Sequence, residues 1–150
     1  MLYVKIIEYK NRSSSVPAPA IGWSSRNDLF AVVKYHDQTR RTTTKWKEDA
    51  PNWNESFIFD VCNDDRFLMV QIFDDNYFDD DIKVAEYPIK IHMGAITTFV
   101  IGNLCIEMGD PMVTETIELQ NELALLRKEN REYEATMKRM LAVCDDLQSG

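Results

Sequence analysis

Five aspartates fall within eight residues in the stretch Phe73 to Asp81, FDDNYFDDD: Asp74, Asp75, Asp79, Asp80 and Asp81, with Asn76 among them. Oxygen donors at that density suit a hard cation, which takes roughly six to eight oxygens pointing at one spot from neighbouring loops. Like charges packed this closely also repel, and the same residues make a solvated turn with carboxylates splayed into water. Both readings stand on the residues alone.

Lys34, His36, Arg40, Arg41, Lys45 and Lys47 form a second charged group, within fourteen residues and well separated from the aspartates. Such a patch attracts an anionic surface, each basic residue contributing about 1 kcal/mol close to it. It equally suits a solvated sheet face whose edge lysines oppose aggregation. Nothing comparable points to catalysis. His36 and His92 are the only histidines and lie far apart, outside any nucleophile or metal motif, and with five glycines in all there is no phosphate-cradling Gly-rich loop. The chain is not expected to be an enzyme. Cys62, Cys105 and Cys144 are an odd number without a metal-ligand spacing, which reads as plain thiols.

The bulk properties set the frame for these groups. With 150 residues, 45% apolar and 28% charged, the chain suits one core plus one further element and is too rich in apolar residues for wholesale disorder. The net charge of -8 disfavours nucleic acid as a partner. No apolar run reaches the length of a membrane span, and MLYVKIIEYK alternates where a signal peptide would be solidly apolar. A cytoplasmic location is expected, peripheral to a membrane or within a large assembly.

The elements that position these residues have two different periods. Up to about residue 108 the apolar pattern repeats every second residue in short runs: LYVKIIEY, LFAVVKYH, QTRRTTTKW, ESFIFDV, RFLMVQIF, KVAEYPIKI, TTFVI and LCIEM. Eight such runs, none followed by a helical pattern, predict an all-β antiparallel sandwich. Gly102 and Asn103 form a two-residue link suited to a tight hairpin. Residues 11–27, NRSSSVPAPAIGWSSRN, are longer than a hairpin needs and predict a long loop.

After Gly109 the pattern changes. Asp110 and Pro111 suit the N-cap and first position of a helix, and Thr114 offers a second cap. Leu119, Leu123, Leu126, Asn130, Tyr133, Met137, Met140, Cys144 and Leu147 then alternate at spacings of four and three, an unbroken heptad seam. A period of 3.5 predicts a coiled coil between chains, whereas a helix lying on its own core follows 3.6 with a wider apolar face. With Asn130 at an a position, a buried amide would fix register in a parallel dimer. Glu122 and Arg127 would pair across chains, while Glu129 and Glu134 would repel. Leu141 and Val143 widen the apolar face near the end, which leaves a higher homo-oligomer or a hetero-assembly open.

Several words in this order carry a resemblance. APNWNESFIFDV, Ala50 to Val61, is similar to the NPxWNExFxFxV word of C2 domains; NDLFAVVKY resembles their SDPYVxV strand, LYVKIIEYK their opening strand, and LMVQIFDDN their LxVxVxDxD strand. The resemblance covers about residues 2–108 and implies a C2-type sandwich of the permuted, type II strand order. Trp53 is expected as a buried ring anchoring the fourth strand, Asn54 as a bonding partner for backbone there, and Pro51 as a turn former.

In calcium-binding members of that family, loops at one end of the sandwich converge about five carboxylates. The resemblance implies Asp28, Asp74, Asn76, Asp80 and Asp81 as candidate calcium ligands, with Asp79 an alternative for the last. Three departures count against a tight site: no acid lies between Lys10 and Asp28, Asn76 replaces an acid, and the third loop is about two residues short. Fewer charges imply weak affinity, on the order of 10⁻⁴ M or poorer. The resemblance also implies Lys34, Arg40, Arg41, Lys45 and Lys47 as candidate contacts to anionic phospholipid headgroups.

The expectation is therefore a C2-like sandwich over 1–109 and a coiled-coil helix over 110–150. Its function would be that of a non-enzymatic adaptor or assembly protein, oligomerised or docked to a protein partner through the helix. The alternative is a calcium-dependent phospholipid binder.

Overall fold

Apolar residues at every second position give a strand one face to bury. In the computed structural model, which describes residues 1–10, 27–61, 66–76 and 80–148, this pattern produces eight strands. They are β1 (Leu2–Tyr9), β2 (Leu29–Tyr35), β3 (Gln38–Arg41), β4 (Asn52–Phe59), β5 (Phe67–Asp74), β6 (Ile82–Lys90), β7 (Thr97–Ile101) and β8 (Leu104–Gly109). The long loop expected at 11–27, apart from Asn27, lies outside the described residues, as do Cys62 and Asp79.

The strands form two antiparallel four-stranded sheets, ordered β4-β1-β8-β7 and β3-β2-β5-β6. Leu2, Val4, Ile6, Phe59, Leu104, Ile106 and Met108 of the first sheet share one core with Leu29, Ala31, Val33, Tyr35, Leu68, Val70, Ile72 and Ile89 of the second. Tyr35 and Phe59 meet edge-on across the sheets, ring centroids 6.1 Å apart. Burying each large apolar side chain stabilises the fold by about 1.5–3 kcal/mol. The expected sandwich is present.

Two strands depart from the expected bounds, β3 at its end and β4 at its start. β3 stops at Arg41 instead of running on to Trp46. At that point buried Thr42 donates its backbone N–H to the Ala31 carbonyl at 2.9 Å, and its Oγ1 accepts the Ala31 N–H at 2.8 Å. Beyond it only a bridge between Leu29 and Lys45 holds the chain to β2. β4 begins at Asn52, earlier than expected, because its ladder with β1 resumes at Glu8–Asn52, and beside it buried Trp53 donates Nε1–H to the Thr43 carbonyl at 2.9 Å. Asn54 adopts φ 51° and marks a bulge, across which the pairing with β1 steps from Ile6–Glu55 to Glu8–Asn52. Its amide donates to the Asn52 side chain, which corrects the expected backbone bond.

Gly102 takes φ 58° in the two-residue turn between β7 and β8, where a side chain would be strained and would also press on Tyr87. At Gly109 the backbone of Ile96 comes so close that a Cβ would lie 2.6 Å from its Cα. The second sheet ends on β6, an edge strand that carries Pro88 opposite Met69.

By contact the chain divides into two compact units, Met1–Thr114 and Glu115–Gly150. The helix α1 (Pro111–Gln148) starts where its sequence signals place it. Asp110 Oδ1 accepts the Met112 N–H at 2.9 Å and the Asp110 carbonyl accepts the Thr114 N–H at 3.1 Å, which makes Asp110 the N-cap. Thr114 lies within the helix; its hydroxyl donates to the Asp110 carbonyl and accepts the Ile96 N–H at 2.8 Å. No described residue of α1 is buried, and its seam leucines and methionines are exposed. Among the described residues no helix is long and apolar enough to cross a membrane.

Thr42 provides a direct test of side-chain replacement in the ladder. Thr42→Val keeps the volume but orphans the Ala31 N–H, a loss of about 1–3 kcal/mol for a buried donor. Thr42→Ser restores the acceptor and is expected to recover most of that loss in chemical denaturation.

Candidate binding surface

The strand termini bring four acidic residues to one end of the second sheet: Asp28 just before β2, Asp74 and Asp75 at the end of β5, and Asp49 in the segment before β4. One carboxylate oxygen of each accepts from a protein donor. Asp74 Oδ1 accepts the Asp28 N–H at 3.0 Å, and Asp28 Oδ1 accepts the Lys47 N–H at 2.6 Å. The Asp28 carbonyl takes the Asp75 N–H at 2.8 Å, and Asp49 Oδ1 takes the Asn27 N–H at 3.3 Å. Lys47 has φ 57°, the left-handed conformation that turns its N–H toward Asp28.

Partial burial pushes the Asp74 carboxyl above its ordinary pKa of 3.8; the Asp28 N–H bond opposes that shift, and the charges of Asp28, Asp75 and Asp49 add to it. Further along the loops, Asp81 Oδ1 accepts the Asn76 N–H at 3.3 Å, and Asp80 is exposed.

The outward face of the same sheet carries an aromatic and cationic stack. The Arg41 guanidinium lies 3.6 Å from the Phe30 ring centroid, and Phe30 stacks on Phe73 at 5.4 Å with the rings 15° from parallel. Arg41 also reaches Asp75 Oδ2 at 3.5 Å and Thr44 Oγ1 at 3.1 Å, while the Thr44 hydroxyl donates to the same Asp75 oxygen. Arg40, one residue earlier, lies on the opposite side of the strand over Phe59, 5.5 Å from its centroid. Lys34 sits on the outer face near Glu86. The Glu86 carboxyl is held below its ordinary range, first by a hydrogen bond from Gln71, then by Lys83, with Lys34 adding a smaller effect.

A family model for the C2 domain matches residues 1–115. The chain belongs to the C2 domain family. Domains of this family are binding modules for lipid or protein. The chain is also similar to the Arabidopsis thaliana protein C2-DOMAIN ABA-RELATED 4, at 30% identity over 74 residues, which is 48% of this chain and 42% of that one. This chain therefore spans less than half of that relative. Among solved structures, a C2 domain of plant Extended Synaptotagmin 1 matches 72% of this chain and 91% of its own at TM-score 0.56 and 20% identity. Human GIVD cytosolic phospholipase A2 matches 73% of this chain, but only 17% of its own, at TM-score 0.59 and 18% identity. These two likenesses establish the fold.

The calcium that such a domain can hold needs several carboxylates free to converge. Among the described residues, no three Asp, Glu, His or Cys side chains are grouped to hold a metal ion. Of the five candidates, Asp28 and Asp74 are brought together, but through a backbone N–H, and Asn76 meets Asp81 in the same way.

The basic candidates of this C2 domain are likewise distributed. Arg40 and Arg41 face opposite sides of β3, Lys45 bridges its backbone to Leu29, and Lys47 makes the turn that binds Asp28. Sequence reasoning missed Asp49 and the anchoring of Arg41. Asp49 carries no spacing signal, since it stands in an ordinary turn before Ala50 and Pro51. The Arg41–Phe30 contact joins two strands and is set by their register, Val32 opposite Arg41.

The raised pKa of Asp74 has a defined sign. The folded state holds that proton more tightly than the unfolded chain, so the stability it lends is present at low pH and lost as pH rises through the folded value. Asp74→Asn keeps an oxygen for the Asp28 N–H and removes the repelled charge. Its melting temperature should exceed that of the wild type at neutral pH, and the difference should shrink as pH falls toward 3.8.

Proposed function

We propose that this C2 domain is a non-enzymatic adaptor, a sandwich that binds its target without calcium and is held in more than one copy by a parallel, in-register coiled coil of α1. The observation that carries the reading is the heptad seam. Leu119, Leu123, Leu126, Tyr133, Met137, Met140 and Leu147 lie along one 38-residue helix in which nothing is buried. That much apolar surface in a single row is covered by a second helix of the same kind. Asn130 in the row selects the parallel, aligned partner, because a buried amide is satisfied by its own copy across the seam. Joining sandwiches multiplies weak binding faces without new contacts.

The calcium-free part is supported by Asp74 and Asp28, one oxygen of each of which serves a backbone donor. Anionic phospholipid and protein are both open as targets of the sandwich, and no cofactor is invoked.

Light scattering of the full chain at tens of micromolar should give more than one copy, and Asn130→Leu should change the copy number or register. A monomer at that concentration would remove the reading. Phosphatidylserine vesicles should retain the same fraction of protein in chelator and in millimolar calcium. Binding that needs calcium and disappears in Asp74→Ala would put the calcium-regulated phospholipid binder in its place.

A further inference from the structure

The two ends of α1 are flanked differently. In the frame that puts Asn130 at a, the positions beside the seam from residue 115 to 134 are Glu115, Gln120, Glu122, Arg127, Glu129 and Glu134. From residue 136 to 143 these g and e positions become Thr136, Leu141 and Val143. Leu141 and Val143 are 61% and 58% exposed, so the apolar stripe broadens from two positions per heptad to four. A two-stranded coil covers a and d and leaves e and g at its margins. The broad end therefore keeps an apolar margin on each side after a dimer forms.

A shallow groove of about 400 Å³ lies on one of these margins, lined by Thr136, Arg139, Met140, Val143 and Cys144. Their spacing of i, i+3, i+4, i+7 and i+8 is that of a hole which receives a side chain from a neighbouring helix. It joins Met140 and Cys144 of the seam to Val143 and Thr136 at g and Arg139 at c, so the apolar surface runs from the seam onto its g margin without a break.

The charges bordering the broad end state which way that neighbour runs. Lys138 and Asp145 occupy successive b positions, and Arg139 and Asp146 successive c positions. Between parallel helices each would lie level with its own kind. Between antiparallel helices crossing near residue 142, the Lys138–Arg139 pair lies level with the Asp145–Asp146 pair, in both directions at once. The same crossing superimposes the two broad apolar ends over about 18 Å, at 1.5 Å per residue.

We infer that residues 136–147 of two parallel dimers pack antiparallel into a four-helix bundle, so that the partner of the broad face is a second pair of this same chain. The inference rests on the coiled-coil reading above. A closed, two-fold arrangement of this kind uses the same patch on both dimers.

Sedimentation equilibrium of the full chain should give a tetramer. Leu141→Glu with Val143→Glu, which leaves every a and d residue in place, should give a dimer. Lys138→Asp with Arg139→Asp, and separately Asp145→Lys with Asp146→Lys, should each give dimers, and mixing the two variants should restore tetramers. A wild-type dimer or trimer, a tetramer indifferent to Leu141→Glu with Val143→Glu, or charge variants that fail to complement each other would overturn the bundle while leaving the coiled coil standing. A wild-type monomer would overturn both.

Discussion

A backbone N–H that leaves a strand ladder still needs an acceptor, because an unpaired buried donor costs about 1–3 kcal/mol. Much of this protein follows from how that need is met. Where β2 begins, Asp74 takes the Asp28 N–H; where the next segment turns, Asp28 takes that of Lys47. Thr42 serves Ala31 at the end of β3, Glu55 serves Thr43, and Asp110 opens the helix by serving Met112. Short oxygen-bearing side chains thus close off the elements of both units. A carboxylate that serves a backbone donor at a strand end is held in one orientation there, so the stitching of the loops shapes their chemistry.

That dual use explains how far the residues could be read in advance. The eight strands and the helix start were legible, because period two, period 3.5 and the Asp110–Pro111 pair each reflect a repeating or local constraint. The end of β3 and the start of β4 were not, because the first depends on Thr42 reaching Ala31 and the second on pairing with β1 beyond a bulge. The acidic cluster was legible as a place and not as a geometry. Residue type marks Asp28 and Asp74 as oxygen donors, but it does not say whether the donor they meet is a metal or an N–H. Arg41 is similar: its charge suggested an anionic surface, and its position over Phe30 beside Asp75 depends on a register that no local spacing encodes.

The two units divide labour along the same lines. The sandwich buries its apolar residues within itself and presents mixed charges, with aromatic rings capped by a guanidinium. The helix has no interior of its own, and its apolar residues are all outward. Its pattern therefore carries information about neighbours in a way the sandwich surface does not. A C2 domain acting singly binds with whatever one face supplies; linked copies act together on an extended target, where modest individual affinities combine.

Joining sandwiches as proposed would crowd their sheet edges, and Pro88 bears on that hazard. The free edge of β6 is an open row of backbone groups on which a strand from a neighbouring copy could add. Proline has no N–H to offer there, and the irregular pairing of β6 near Ile72 and Phe73 further disturbs the row. An edge made a poor template in this way lets copies be tethered at high local concentration without their sheets fusing into a continuous fibre.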